Sequence, residues 1–109
     1  MFVTVEQAQM GVNNFIDNEL GKKAVGANKF IIYFAMPIID KKIAQYVDSF
    51  ASNPLMADMF DENHNINLDT VYEMAKEAVR KSGQFVYLGV VFNETDIDKL
   101  YTYIKNTGA

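Results

Sequence analysis

The stretch from Asp61 to Ser82 constrains the fold more than any other part of the chain. It opens with Asp61, Glu62, Asn63, His64 and Asn65, a run of turn formers whose Asn and Asp side chains bond locally and tolerate positive φ. Asn63 and His64 stand where Asn-Gly would close a two-residue hairpin, with Met59-Phe60 and Ile66 as brief flanking strands. Asn67 then reads as an N-cap, and Asp69 in the first turn suits the positive end of a helix. Leu68, Val71, Tyr72, Ala75, Ala78 and Val79 recur at helical spacing and define one buried face. Glu73, Lys76, Glu77, Arg80 and Lys81 fall mostly opposite, with Glu77 and Lys81 an i,i+4 pair. Gly83 stands where a helix end takes a left-handed residue. The segment is a joint: mainly helical chain precedes it, and a strand and a closing helix come after it.

The rest of the chain must supply what this helix packs against, and composition bounds that supply. A length of 109 residues makes one domain with a single modest core. Half of the residues are hydrophobic and 13% aromatic, which opposes disorder. The formal charge of −4 repels phosphate backbones, so no nucleic acid is expected as a partner, although carboxylates could face a basic protein. The absence of cysteine excludes disulfides, thiolate catalysis and cysteine metal sites, and fits a reducing compartment. The start, Met-Phe-Val-Thr-Val-Glu, has no basic region leading into an apolar core, so secretion by the usual route is not expected. The sequon at Asn93, Glu94 and Thr95 is then a chance match.

Thr4 with Gln7 forms a capping-box pattern that opens a first helix. Its apolar stripe is Val5, Ala8, Val12, Phe15, Ile16 and Leu20, and Gly21 ends it ahead of a linker from Lys22 to Ala27. Gly11 weakens this helix by about 1 kcal/mol against Ala, and permits a close helix crossing. From Phe30 to Ile39 the chain is apolar on every side, and residues 29–36 suit a strand as well as a helix. Beyond Pro37 the period is helical, with Ile39, Ile43, Tyr46, Val47 and Phe50 on one face. One helix from about Lys29 to Ser52, kinked where Pro37 removes the bond to the Tyr33 carbonyl, is favoured over strand, break and helix. The run falls well short of a bilayer span, so no membrane is expected. It is either a helix buried all round or one covered in part by another copy or a partner, through Phe30, Tyr33, Phe34 and Met36.

Asn53-Pro54 is a further helix start, with a short turn over Leu55 to Met59. Gln84 to Phe92 is the clearest strand, buried on both faces or folded as a tight hairpin at Leu88-Gly89. Thr95 with Asp98 then caps a last helix with Ile97, Leu100, Tyr101 and Ile104 inward, ending in a frayed Gly108-Ala109.

Little in the chain points to chemistry. Asp61, Asn63 and Asn65 match the first ligand positions of a calcium loop, but Ile66 replaces its turn glycine and Tyr72 its bidentate Glu. His64, the single histidine, has neither a second His nor a serine motif to join it in a zinc site or a triad. The carboxylates Asp58, Asp61, Glu62 and Asp69, and Glu94, Asp96 and Asp98, fall at helix starts, where capping explains them. The glycines are scattered, which excludes a phosphate loop, and no basic patch interleaves with the tyrosines. No enzyme activity and no cofactor is expected.

Two segments carry a resemblance: Phe60 to Glu73, reading FDENHNINLDTVYE, and Phe92 to Lys105, reading FNETDIDKLYTYIK. They resemble small proteins encoded by phages and prophages of Gram-positive bacteria, in which an Asp-Glu-Asn-Gly-Asn turn precedes a helix and an Asp-Lys-Leu-Tyr-x-Tyr-Ile helix closes the chain. The resemblance is structural and implies no catalytic or binding residue, and His64 departs from it at the turn glycine.

The sequence therefore predicts an α+β fold, a single compact domain over residues 1–109. It has two N-terminal helices, a small antiparallel sheet from about residues 58–67 and 85–92, and the joint and terminal helices packed against that sheet. The expected function is that of a non-enzymatic, phage-related interaction or assembly protein in the bacterial cytoplasm or on the virion. Its partner is a second copy, forming a homo-oligomer, or another protein. The alternatives are an inhibitor or sequestering protein using an acidic face or a pocket between protomers, and a metal-dependent enzyme using the Asp58–Asp69 carboxylates.

Overall fold

A computed structural model describes residues 1–20, 27–83, 85–87 and 90–107; the side chains of residues 20, 27–33, 35, 85–87 and 90–92 lie outside that description. Helix α1, Val5–Phe15, opens as the sequence predicts. The Gln7 N–H donates to Thr4 Oγ1 at 3.1 Å, and the Thr4 N–H donates back to Gln7 Oε1 at 2.8 Å. The last predicted turn differs, because Ile16–Leu20 widens into a π-helix instead of continuing α1. Gly21, the linker after it, Gln84, the Leu88-Gly89 pivot and the Gly108-Ala109 end lie outside the described residues.

Helix α2, Ala27–Ala51, runs through Pro37, so residues 29–36 are helix and the strand alternative is excluded. The physical reason lies beyond Pro37: Ile39 and Ile43 are half-buried and Val47 is buried, one stripe facing the body. Tyr46, predicted on that face, is exposed and stacks on Phe50 with ring centroids 5.6 Å apart. Asn53 caps a 3₁₀ turn, Pro54–Met59, by accepting the Leu55 N–H at 3.0 Å.

The expected sheet is corrected. Strand β2, Ile66–Asn67, pairs antiparallel with β1, Phe2–Val3, in the register Phe2 to Asn67 and Val3 to Ile66. Strands β3, Phe85–Tyr87, and β4, Val90–Phe92, form a separate antiparallel pair with Tyr87 opposite Val90, as a tight hairpin requires. The expected bridge between Phe60 and Ile66 is present, but the loop inside it, between Asp61 and Asn65, has three residues, 62–64, not two. The His64 N–H donates to the Asp61 carbonyl at 3.1 Å, the Asp61 N–H to the Asn65 carbonyl at 3.0 Å, and His64 takes a φ of 61°. This is a type I turn closed by a left-handed residue, the form in which Gly is favoured at the position His64 holds.

Helix α3, Leu68–Ser82, starts at the Asn67 cap, and Gly83 follows it with a φ of 80°. Leu68 and Val79 are buried and Val71, Tyr72 and Ala75 half-buried, while Ala78 is exposed, contrary to the periodic reading. Helix α4, Glu94–Thr107, begins one residue before the predicted cap. Asn93 and Asp96 form the box in place of Thr95 and Asp98. The Asp96 N–H donates to Asn93 Oδ1 at 3.1 Å and the Asn93 N–H to Asp96 Oδ2 at 3.0 Å. That exchange accounts for a carboxylate only 2% exposed.

The centre of the fold is the crossing of α1 on α4. A Cβ built on Gly11 would lie 2.5 Å from Ile104 Cα, so the two backbones meet where the sequence placed a glycine. Around the crossing, Val3, Ala8, Val47, Ile66, Leu68 and Ile104 form the larger buried cluster. Phe15 and Ile16 form a second, against which Met36, Ile39 and Tyr103 pack. Among the described residues no helix is long and apolar enough to cross a membrane.

Candidate interaction surface

Helix α2 is too long for its neighbour. Its 25 residues rise about 38 Å, whereas the 11 residues of α1 rise about 16 Å. Helix α1 can therefore cover one face of α2 along only part of its length. Phe34 is 80% exposed and Ile38 60% exposed, with Pro37 exposed between them. Their i, i+3, i+4 spacing puts the three on one stripe facing away from the body. Lys41 and Lys42 are exposed at its C-terminal end and make no ion pair with the described residues.

Of the four residues expected at an interface, Phe34 lies on this stripe. Met36 does not: it is half-buried against Phe15 and Ile16, because two residues of helix carry it round to the inner side. Phe30 and Tyr33 belong to α2, but their side chains lie outside the described residues. Pro37 and Ile38, outside the four, share the exposed stripe with Phe34. Counting back along the Ile39, Ile43 and Val47 stripe reaches Met36 and leaves Phe34 and Ile38 opposite, a signal already present in the periodicity.

The inner side of α2 is pinned to α1 by polar groups. Gln9 Nε2 donates to the Asp40 carbonyl at 2.9 Å, and Asn13 Nδ2 donates to Asp40 Oδ2 at 3.2 Å. The remaining oxygens, Asn13 Oδ1 and Asp40 Oδ1, are buried and receive no hydrogen bond.

Asp61, Asp69 and Asp98, three of the carboxylates singled out in the sequence, are engaged in contacts that hold the fold together. Asp61 accepts the N–H groups of Asn63 and Asn65, each at 2.9 Å, and Asn65 Nδ2 at 3.1 Å. The Asn65 backbone N–H leads in holding this carboxyl below its usual range. With Asp61 closing its own loop and Ile66 buried in the core, the segment is a hairpin turn and not a calcium loop. Asp69 accepts the Met1 ammonium and the Tyr101 hydroxyl, both at 2.6 Å, and is held low by the ammonium first. Asp98 accepts the Tyr72 hydroxyl and, at 3.1 Å, Lys76 Nζ, and the Tyr72 bond leads in lowering it. The same contacts push Tyr72, Lys76 and Tyr101 up, and burial, followed by the Glu19 hydrogen bond, raises Tyr103. Each of these shifts carries its group further from neutrality, the opposite of what a general acid or base needs. His64 is exposed at the tip of the hairpin. Among the described residues no group of three or more His, Asp or Glu side chains converges as a metal site would.

Comparison with family models, with curated proteins and with solved structures yields no match.

Proposed function

We propose that the chain is a non-enzymatic interaction protein that self-associates through the outer face of α2. One observation carries this reading. Phe34 at 80% and Ile38 at 60% exposure flank an exposed Pro37 on a helix whose other side is already packed. Removing such a stripe from water contributes about 25 cal/mol for each Å² of apolar surface. In a chain of this size large apolar side chains aligned on one solvent face mark a contact.

The phage relationship rests on the resemblance of the Phe60–Glu73 and Phe92–Lys105 segments and supports an assembly role in a bacterial cell or virion. The shift directions at Asp61, Asp69, Asp98 and Tyr72 support a non-enzymatic reading, since each group is engaged in holding elements together.

The test is the mass in solution by light scattering on a sizing column, for the native chain and for Phe34→Asp. A native oligomer that dissociates in the variant, with the helical signal intact, is the expected result. A native chain that stays monomeric across the concentration range would overturn the proposal.

A further inference from the structure

We infer that a second copy lies antiparallel along the outer face of α2, the two helices related by a two-fold axis between residues 44 and 45; this rests on the self-association proposed above and names its geometry. Self-complementary charge carries the inference. The exposed charged side chains from Phe34 to Ala51 are Lys41, Lys42 and Asp48, and none makes an ion pair with the described residues. Phe34, Ile38, Lys41, Gln45 and Asp48 follow one another at steps of four and three residues, so they run along one side of the helix, and each is exposed. Parallel packing of that side on its copy would oppose Lys41 to Lys41 and Asp48 to Asp48. Antiparallel packing about residues 44 and 45 instead opposes Lys41 to Asp48 twice, once in each direction.

The same register also places the apolar groups. Ile38 comes level with Ala51 of the second copy, and Phe34 reaches about 6 Å further along the helix direction. There the 3₁₀ turn that follows α2 carries Leu55, 90% exposed. Phe34 and Leu55, the two large apolar side chains most exposed among the described residues, are thus brought together at both ends of the contact. Gln45 stands beside the axis, about 1.5 Å along the helix from its own copy, and an amide holds both a donor and an acceptor with which to pair with itself. Lys42 lies on the other edge, within one residue of the level of Tyr46 in the second copy, an exposed ring whose face can take a cation. Both copies use the same surface, so the contact closes on itself as an isologous dimer.

The experiment reads the mass in solution of the native chain, of Lys41→Glu, of Asp48→Lys and of the chain carrying both changes. The native chain is expected to be a dimer. Either single change sets like charges against each other at two places, and the dissociation constant is expected to rise about tenfold or more. The double variant restores opposite charges in this register and is expected to recover most of that loss. Gln45→Cys, in a chain that has no cysteine, adds a test independent of charge: mild oxidation is expected to link two copies, whereas Glu73→Cys on α3 is expected to leave them unlinked. Single changes that leave the dimer intact, a double variant no stronger than the single ones, or a dimer that Gln45→Cys does not link would each overturn the antiparallel pairing. Self-association would then stand or fall on Phe34→Asp. A native mass above two chains overturns the pairing in the same way, and a monomeric native chain overturns both. Where a charge variant loses its helical signal, the Gln45→Cys link decides.

Discussion

Replacing Gly11 by Ala separates two opposite expectations. Taken as a position in a helix, Gly11→Ala stabilises α1 by about 1 kcal/mol. Taken as the crossing point, it drives a methyl to 2.5 Å from Ile104 Cα, 2.6 Å from Ile104 Cγ1 and 2.9 Å from Ile104 N. Two of those three atoms are backbone, so a rotamer change of Ile104 cannot clear the clash. Reaching the 3.4 Å at which ordinary contact begins needs a displacement of 3.4 − 2.5, or 0.9 Å, of one helix from the other. A gap of that size forfeits a quarter to a half of the dispersion energy of the contacts it opens, here where Ala8 and Val12 of α1 share a cluster with Leu100 and Ile104 of α4. Overpacking of this kind costs about 1–3 kcal/mol, and more where backbone must move. With a cost of about 3–4 kcal/mol less the helix gain, the net is a loss of about 2–3 kcal/mol, or roughly 10 °C in Tm at this length. Urea unfolding followed by circular dichroism reads it as a lower midpoint at unchanged slope. Gly83→Ala is the control: at a φ of 80° with nothing within 4 Å of the added Cβ, only backbone strain acts, about 1–3 kcal/mol. A Gly11→Ala chain as stable as the native one, or more so, would refute the close crossing.

Asp40→Asn is expected to stabilise the chain by about 1 kcal/mol, because its new amide donor can reach Asn13 Oδ1 while its oxygen keeps the bond from Asn13 Nδ2; a lower urea midpoint would count against that seam. His64→Gly relieves a left-handed residue and is expected to gain about 0.5 kcal/mol net of its greater unfolded-state freedom, whereas His64→Val loses about 1–2 kcal/mol. Equal melting temperatures for the Gly and Val chains would exclude the positive φ. For pH, Asp61, Asp69 and Asp98 are depressed in the fold, so their contribution is present above the ordinary carboxylate pKa and is lost as pH falls through the folded values. Tyr72, Tyr101 and Lys76 are raised, so theirs is present below their ordinary values and lost as pH rises through the folded ones. The melting temperature should be level from about pH 5 to pH 9 and fall on both sides. Carboxyl titration by NMR should find Asp98 below the ordinary value and moving toward it in Tyr72→Phe. An Asp98 that titrates normally in the native chain would remove the Tyr72 contact from the account.

Most of the helix starts were legible because a cap is a local device. Thr4 with Gln7, Asn53 with Pro54, and Asn67 each bond within their own turn, so residue type and spacing suffice. The last helix shows the limit of that reading. Asn93 with Asp96 and Thr95 with Asp98 have the same three-residue spacing, and only the end of β4 at Phe92 decides which pair sits at the start. The β1 strand was illegible for a different reason. Two residues are too few to show alternation, and Phe2 and Val3 are a strand only because Ile66 and Asn67, far along the chain, supply the ladder.

The surface at α2 lay between these cases. Strong hydrophobicity over residues 30–39 raises the expectation of cover but does not say on which side, since a helix that is apolar all round shows no moment. The polar seam decides the side. Asp40 binds Gln9 through its carbonyl and Asn13 through its carboxylate, and this turns Ile39 and Ile43 toward the body and Ile38 away from it. A helix rotated instead to bury Phe34 and Ile38 would expose Met36 and Ile39 and break both contacts. The polar seam, set against the short span of α1, thus holds Phe34, Pro37 and Ile38 on the side of α2 that the described helices leave exposed.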